Sequence, residues 1–515
     1  MNNKIDIYIY MNNMQETNKM NKPGIQLLDN LDMEIFMKNK DKIIHEAQKK
    51  KLQIVEPTEN EIYTINGIIM QYIRDNHRKL YGGYALNLLV MSKKPELGLY
   101  TDIDVPDVDF YSPEPLKDVI SICKLLFSKG FKMITGREAL HKETYSVRVN
   151  NQLYCDITYV PKNIYNKMPY REIDGLCVIG SEFMIIDYFR LITDILLTNW
   201  RLEKTVKRMH LLQKLYPLPY IHDTIYFAPL TDMEKSDTDN IRKIMNFIQK
   251  YAENNNRILM IGLYAYNQFM HASNIIKHDK RFTYTEIPYY ELVMTEYKTD
   301  AIKLISELKV KYAEDIHITE YYPFFQFLGN SVDIYYKDIL MARIYSNNKK
   351  CLPYRVVPSY YFEDGKLSES KEKINIGSFS LTIMYSLITI MKARIDNDRD
   401  KKNLYYTLIS NITEFRNYYF KKMNKTFMDN TIFKEFMTEC IGVPITPENE
   451  RMITIESRKK KGKKYTFHYE PQENDDAQIN YVFSNSSGNP IHNIKNLKLT
   501  ELNNDEYDED YDENN

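Results

Sequence analysis

The pattern of apolar and polar positions divides the chain into helical and extended stretches. Apolar residues recur at helical spacing along residues 29–52 and again along residues 181–215. They alternate with other residues along 145–149 and 153–160, on either side of Asn150-Asn151, as expected for a β-hairpin. Stretches of both kinds follow one another along the chain, which predicts an α+β fold with helical additions.

Four landmarks of this pattern occur twice and in the same order, which indicates an internal repeat. Each copy has a glycine-opened apolar helix near its start and an Ile-Gly-Ser sequence before a long apolar helix near its end. The matched segments are 82–87 with 262–267, 105–110 with 287–292, 155–159 with 332–336, and 179–181 with 376–378. We therefore predict two domains of similar structure. The predicted divisions are a lead-in at 1–57, domains at 58–225 and 226–435, a basic segment at 436–500 and an acidic disordered tail at 501–515.

Composition fits a globular protein with several domains. A chain of 515 residues is too long for one ordinary core. Its formal net charge is −1, but residues 501–515 carry eight acidic and no basic side chains, which leaves a mildly basic body of charge +7. The five cysteines contain no C-x-x-C pair, which argues against a structural zinc site and a disulfide framework. The longest apolar run, at 379–391, is shorter than the roughly 20 residues of a membrane helix, so we expect a soluble intracellular protein.

Polar candidates for phosphate and metal chemistry lie in the first copy. Gly82 and Gly83 open an apolar helix, where backbone N–H groups and the helix dipole favour phosphate. Asp107 and Asp109 lie two apart on an expected strand, so their carboxylates point the same way and can hold divalent cations. Asp156 is a further carboxylate on the returning strand of the hairpin. These residues predict a site for phosphate and metal ions.

The second copy changes this set. It has Leu263 in place of Gly83, Tyr289 in place of Asp107 and Glu291 in place of Asp109, and we match its Asp333 with Asp156. A phenol is a poor ligand for magnesium, so we predict that the second domain is degenerate and is retained for structure or for binding the acceptor strand.

A second Asp-x-Asp pair, Asp102 and Asp104, precedes the first. Lone pairs of this kind are weak signals, and the chain contains others. The shared register of Pro106 and Pro288 assigns the common strand to Asp107 and Asp109. We therefore favour Asp107 and Asp109 as the site.

Taken together, the glycine pair, the Asp-x-Asp strand and the third aspartate resemble the nucleotidyltransferase fold of DNA polymerase beta and of the poly(A) and CCA-adding enzymes. Two features depart from that pattern: the gap between the glycines and Asp107 is long, and Tyr84 stands where a small or hydroxyl residue is common. More narrowly, Leu-Tyr-Gly-Gly-Tyr-Ala-Leu-Asn with Asp-Val-Asp-Phe-Tyr-Ser resembles the poly(A) polymerase catalytic subunits of large nucleocytoplasmic DNA viruses. This group includes the mimivirus type, is related to the poxvirus enzyme and has a degenerate second domain.

The resemblance implies a reaction and roles for the residues. An RNA 3′-hydroxyl would attack the α-phosphate of ATP at a pair of Mg²⁺ (or Mn²⁺) ions held by Asp107, Asp109 and Asp156. Gly82 and Gly83 would let backbone N–H groups approach the β- and γ-phosphates. A homodimer or a processivity subunit is implied as a partner, and the host cytoplasm and the virion as the location.

Two other functions stay open at the level of sequence. A terminal transferase of different base preference would carry the same motifs, and a non-catalytic RNA-binding or processivity subunit would use both domains as scaffold. Two basic stretches also have two interpretations each. Arg201, Lys204, Lys207 and Arg208 form a solvated helix face or contact triphosphate or RNA. Residues 453–469 are expected to form a basic hairpin, which either contacts RNA or is solvated.

Overall fold

Two eight-stranded mixed sheets, each flanked by helices, make up the fold. The computed structural model describes residues 27–54, 57–101, 104, 106–221, 223, 225, 235–324, 328–363, 366–460, 462 and 466–473. The acidic tail and most of the lead-in and of the C-terminal segment lie outside these residues. Among the described residues no helix is both long and apolar enough to cross a membrane. The predicted domain bounds stay predictions.

The first sheet has the order β16-β3-β4-β5-β2-β1-β7-β6. Its strands are β1 (Lys79–Tyr81), β2 (Val108–Ser112), β3 (Ile134–Glu138), β4 (Thr144–Val149), β5 (Gln152–Tyr159), β6 (Tyr170–Ile173), β7 (Leu176–Ile179) and β16 (His468–Tyr469). Its helices are α2 (Glu59–Asp75), α3 (Gly82–Met91), α4 (Pro115–Ser128), α5 (Lys162–Lys167), α6 (Ser181–Thr193), α7 (Ile195–Thr198) and α8 (Leu202–Leu215). The predicted hairpin is confirmed, because β4 and β5 pair antiparallel and Asn150 and Asn151 have the positive φ angles of a tight turn.

The second sheet has the order β10-β11-β12-β9-β8-β14-β13-β15. Its strands are β8 (Ile258–Ile261), β9 (Tyr290–Met294), β10 (Ile316–Tyr321), β11 (Ser331–Tyr336), β12 (Ile339–Ser346), β13 (Leu352–Glu363), β14 (Lys366–Gly377) and β15 (Cys440–Ile441). Its helices are α9 (Lys235–Glu253), α10 (Gly262–Ser273), α11 (Tyr297–Tyr312), α12 (Phe379–Ile395) and α13 (Arg399–Met423). Short 3-10 helices occur at Pro95–Leu97, Asn199–Arg201, Ile275–Lys277 and Ala313–Asp315.

Strand register supports the repeat but corrects its third match. In the first sheet β2 pairs in parallel with β5, and Asp109 lies beside Asp156. In the second sheet β9 pairs in parallel with β12, and Glu291 lies beside Arg343. The counterpart of Asp156 is therefore Arg343. Asp333 lies on the neighbouring strand β11 and pairs with Arg343, as Ser146 on β4 pairs with Asp156.

The physical reason for this error is that β11 and β12 form one hairpin of two similar strands. Both are rich in Ile and Tyr, so an isolated aspartate was a misleading landmark. The fourth match is also shifted by one residue. The residues that precede the equivalent helices α6 and α12 are Gly180 and Ser378.

The C-terminal segment differs from the predicted basic hairpin. Residues Pro447–Lys460 form a helix, α14, and only His468–Tyr469 is extended, pairing with β3 at the edge of the first sheet. Proline at the start, acidic residues in the first turn and basic residues in the last turn are helix signals that explain this outcome. Arg458 is buried and pairs with Glu138 at 3.0 Å, which fixes the helix against the first sheet.

Helices α6 and α12 join the two halves. Arg394 on α12 pairs with Glu182 on α6, with 2.6 Å between nitrogen and oxygen. The N-terminal helix α1 (Asn30–Ile54) is exposed along most of its described length. Cys351 and Cys440 form a disulfide that joins the start of β13 to β15, a single cross-link that was not expected from cysteine spacing.

Candidate active site

Three carboxylates meet at one edge of the first sheet. Asp109 on β2 and Asp156 on β5 are paired residues of neighbouring parallel strands, and Asp107 directly precedes β2. One ligand oxygen from each of these aspartates lies within 4.8 Å of the others. They form the one cluster of this kind in the part of the chain that the structure describes. The structure thus brings together all three predicted metal ligands.

The alternative aspartate pair does not take part. The carboxylate of Asp104 accepts hydrogen bonds from the backbone nitrogen and the hydroxyl of Thr101, at 2.7 and 2.8 Å, in an exposed turn. Asp102 lies outside the described residues. Nothing in the described geometry places Asp104 with Asp156.

The glycine turn holds the helix α3 against these carboxylates. Gly82 has a φ of +74°, and a Cβ atom there would lie 2.1 Å from Asp109 Oδ2. A side chain would therefore displace the carboxylate, and the left-handed backbone disfavours one as well. No side chain caps α3, so the N–H groups of its first turn remain available to an anion.

Burial and mutual repulsion disfavour ionisation of the carboxylates at this site. Burial raises the pKa of Asp109 well above its ordinary value, and Asp107 and Asp156 add to the effect. Burial also raises the pKa of Asp156, although the Ser146 hydroxyl opposes this by donating a hydrogen bond to Asp156 Oδ1 at 2.6 Å. Divalent cations relieve such repulsion, and carboxylate oxygens are the ligands that Mg²⁺ prefers. The donor set therefore fits a magnesium site.

A basic helix face lies opposite the carboxylates. A Cβ atom on Gly83 would meet the Tyr100 hydroxyl at 2.4 Å and Arg208 Nη1 at 2.9 Å, so both side chains cover the glycine turn. Burial and the neighbouring Arg208 and Arg201 lower the pKa of Lys204, and Asp107 and Asp109 oppose this. Lys204 and Arg208 therefore face the site. Contact with triphosphate or RNA, one of the two interpretations of this basic stretch, requires that position.

Two further residues complete the comparison with the predictions. Lys207 points elsewhere and forms an exposed ion pair with Glu203 at 2.7 Å, so it belongs to the solvated face. Tyr100 was not predicted. It lies in the long gap between the glycines and Asp107, where the sequence shows no motif.

The equivalent place in the second domain is closed by an ion pair. Arg343 donates to Asp333 from Nε at 2.8 Å and from Nη2 at 2.6 Å, and both side chains are buried. Glu291 accepts a hydrogen bond from Tyr405 at 2.6 Å. A guanidinium thus occupies the position that corresponds to Asp156 in the first domain, so the described residues of the second domain form no equivalent cluster of three carboxylates.

Comparison with known proteins agrees with this geometry. The family model "Poly(A) polymerase catalytic subunit" matches residues 67–197, and the model "APMV, Putative poly(A) polymerase, catalytic subunit, C-terminal" matches residues 282–501. A "Putative poly(A) polymerase catalytic subunit" of Acanthamoeba polyphaga mimivirus is 32% identical over 473 residues, covering 87% of this chain and 80% of the relative. The chain belongs to the poly(A) polymerase catalytic subunit family. A protein of the same printed name from African swine fever virus is 26% identical over 191 residues, or 34% of this chain and 37% of its own.

A solved structure also has a fold similar to that of this chain. The Megavirus polyadenylate synthase superposes with a TM-score of 0.81 and 32% identity, covering 93% of this chain and 96% of that one. The predicted fold class, the viral poly(A) polymerase family and the assignment to an adenylyltransferase enzyme are confirmed. A non-catalytic subunit is not favoured, because the matched families are named as catalytic subunits.

Proposed function

We propose that this polymerase adds AMP from ATP to RNA 3′ ends without a template, and that Asp107, Asp109 and Asp156 hold the metal ions of the reaction. The observation that carries the proposal is the carboxylate cluster within 4.8 Å beside an uncapped, glycine-opened helix. When bound, two Mg²⁺ or Mn²⁺ ions would make the attacking hydroxyl more acidic and neutralise charge on the phosphates.

The chain itself orients the reactants and moves the proton. Asp156 belongs to the cluster, and its raised pKa suits it to accept the proton of the RNA 3′-hydroxyl. Ser146 fixes the orientation of that carboxylate through its hydrogen bond. Asp109 is held in place by the strand pair and by its contact with Gly82.

Triphosphate binds at the start of α3 under this proposal. Backbone N–H groups at Gly82 and Gly83 approach the β- and γ-phosphates, and Arg208 and Lys204 supply positive charge from the opposite side. Tyr100, whose hydroxyl lies 3.4 Å from Arg208 Nη2, has to move from above Gly83 to admit the phosphates. Pyrophosphate leaves from the same cradle.

The partners follow from the proposed reaction. ATP and an RNA 3′ end are the substrates, and a second copy of the chain or a processivity subunit is the proposed protein partner. The relatives are proteins of mimivirus and African swine fever virus, and we propose the host cytoplasm, with its viral factories, and the virion as the place of action.

Primer extension tests the proposal. The protein is incubated with a short RNA primer, Mg²⁺ and each nucleoside triphosphate in turn. We expect extension with ATP and at least 100-fold less with the other nucleotides. Extension with UTP or CTP alone would identify a transferase of different base preference, and no extension with any nucleotide would reject the enzyme.

A matched pair of variants tests the residues. Asp109→Asn should reduce extension by several orders of magnitude, because the carboxylate is needed in the transition state. Glu291→Gln changes the equivalent position of the second domain and should leave the rate for a short primer nearly unchanged. An equal loss in a folded Glu291→Gln variant would contradict the assignment of chemistry to the first domain.

A further inference from the structure

The second domain loses the metal ligands but keeps positive charge at the same place. Lys204 lies in the first turn of α8 and interacts with Asp107 and Asp109. Lys401 lies in the first turn of the equivalent helix α13 and interacts with Glu291, Asp333 and Arg343. The cation that faces the phosphates in the first domain thus has a counterpart in the second, where carboxylates have become tyrosine, glutamate and arginine.

A second lysine adds to this charge. Lys392, near the end of α12, lies with its Nζ 4.4 Å from the centre of the Tyr321 ring. Burial, and then the neighbouring Arg343, lower its pKa to about 8. Lys392 and Lys401 are both partly buried, and neither ammonium group forms an ion pair or hydrogen bond with another described residue. Partly buried cations without an ion-pair or hydrogen-bond partner are costly, and a bound anion would offset that cost.

The arginine that replaces Asp156 also has spare hydrogen-bonding capacity. Its Nε and Nη2 are used by Asp333, but Nη1 is buried and has no hydrogen-bond partner among the residues that the structure describes. Buried guanidinium nitrogens without an acceptor are rare, and phosphate oxygens are acceptors that match the guanidinium geometry.

Aromatic side chains surround these cations. Four partly exposed tyrosines interact with Arg343: Tyr289, Tyr321, Tyr335 and Tyr345. Tyr321 also contacts Lys392 through its ring. Basic and aromatic side chains together are typical of sites that bind the phosphates and bases of single-stranded nucleic acids. Four acidic residues lie nearby. Asp333 is paired with Arg343, and Glu291 accepts a hydrogen bond from Tyr405. Asp396 is exposed, and Asp398 caps α13 through the backbone nitrogen of Lys401 at 2.9 Å.

We propose that Arg343, Lys392 and Lys401 form a metal-independent site that binds a phosphate group of an adenylate chain or nucleotide. The second domain would then hold phosphate directly with cations, where the first holds it through metal ions. The choice of adenylate as ligand rests on the proposed function, but the anion site itself does not.

Lysine footprinting in EDTA tests the site without catalysis. The full-length Asp107→Asn variant is treated at pH 8.5 with an amine-acylating reagent, and modification of each lysine is followed by mass spectrometry. The probes are inorganic phosphate, AMP and an oligoadenylate of about eight nucleotides. We expect at least fivefold protection of Lys392 and Lys401 and none of Lys337, which is exposed and paired with Asp237.

The probes distinguish the source of the phosphate. Protection by oligoadenylate alone assigns the site to the RNA backbone, and protection by AMP assigns it to a nucleotide; either supports the site. Binding of labelled oligoadenylate in EDTA should weaken at least tenfold in Lys392→Met/Lys401→Met and change less than twofold in Lys337→Met. Unprotected lysines in the Asp107→Asn protein overturn the proposal even where the double variant does not fold. Primer extension by the wild-type protein tests the proposed function separately, so failure of the anion site and failure of the proposed function are distinguishable.

Discussion

Adding one methyl group at Gly82 tests how the glycine turn supports the candidate active site. The residue has a φ of +74°, and the new Cβ atom would lie 2.1 Å from Asp109 Oδ2. The left-handed backbone alone costs about 1–2 kcal/mol for a residue with a side chain. The clash adds to this and is relieved when the carboxylate rotates away. Gly82→Ala should therefore lower the free energy of unfolding by a few kcal/mol and misplace Asp109.

The second domain offers a matched control at Gly262. Its φ is +60°, and a Cβ atom there would lie 1.9 Å from Glu291 Oε2. Strain and clash are nearly the same in both domains, so Gly262→Ala should cost a similar amount of stability. Only Gly82→Ala moves a residue of the proposed metal site. A displacement of about 1 Å costs on the order of 100-fold in rate, so its kcat should fall at least that far.

Chemical denaturation and single-turnover primer extension measure the two effects separately. Both variants are assayed below their unfolding transition, at saturating ATP, with the folded fraction measured in the same buffer. We expect similar losses of stability but a loss of kcat in Gly82→Ala alone. Equal kcat values in the two variants would refute the claim that the glycine turn positions Asp109 for chemistry.

Four further variants separate charge effects from packing. Asp156→Asn should abolish extension without loss of stability by denaturation, whereas Asp333→Asn leaves Arg343 buried without its partner and should cost about 3–5 kcal/mol. Arg208→Gln should raise the KM for ATP about tenfold or more in steady-state assays, because a charge-assisted contact to phosphate is lost; an unchanged KM would remove Arg208 from the phosphate site. Burial raises the pKa of Glu435 from 4.5 to about 7, so the folded state holds a proton that the unfolded state releases, and stability falls as pH rises through that interval. Glu435→Gln should therefore add up to roughly 3 kcal/mol at pH 8 and nothing near pH 4, measured by denaturation at both values.

The sequence was sufficient for the elements whose local signals agree. The periodic helices, the Asn-Asn hairpin and the Asp-x-Asp strand depend on neighbouring residues, and all are present. The sequence was insufficient where the role of a residue depends on which strands pair. Asp333 and Arg343 lie on two strands of one hairpin, and only the register beside β9 shows which of them takes the place of Asp156.

The parts of the candidate site that the sequence missed or left open have the same physical origin. Tyr100 covers the glycine turn from a segment without a regular element, and Arg208 is brought opposite the carboxylates only by the packing of α8 on α3. The C-terminal basic segment was misjudged because alternating isoleucines outweighed the proline, acidic and basic signals of a helix. Pairing and packing across long sequence separations decide these positions, and a single sequence does not display them.

The register correction also explains why the two domains have diverged in opposite electrostatic directions. In the first, burial and mutual repulsion raise the pKa of Asp109 and Asp156, so that edge of the sheet is complete only with cations bound. In the second, Arg343 supplies a permanent cation to the same edge and binds Asp333. Because Arg343 already neutralises Asp333, a metal ion would not stabilise this edge of the second domain and could not support chemistry there. Its remaining positive charge, at Lys392 and Lys401, is suited to an anion. The changes at the Asp107 and Asp156 positions thus account for the loss of the carboxylate cluster, and Arg343, Lys392 and Lys401 together account for the positive charge at this edge of the second domain.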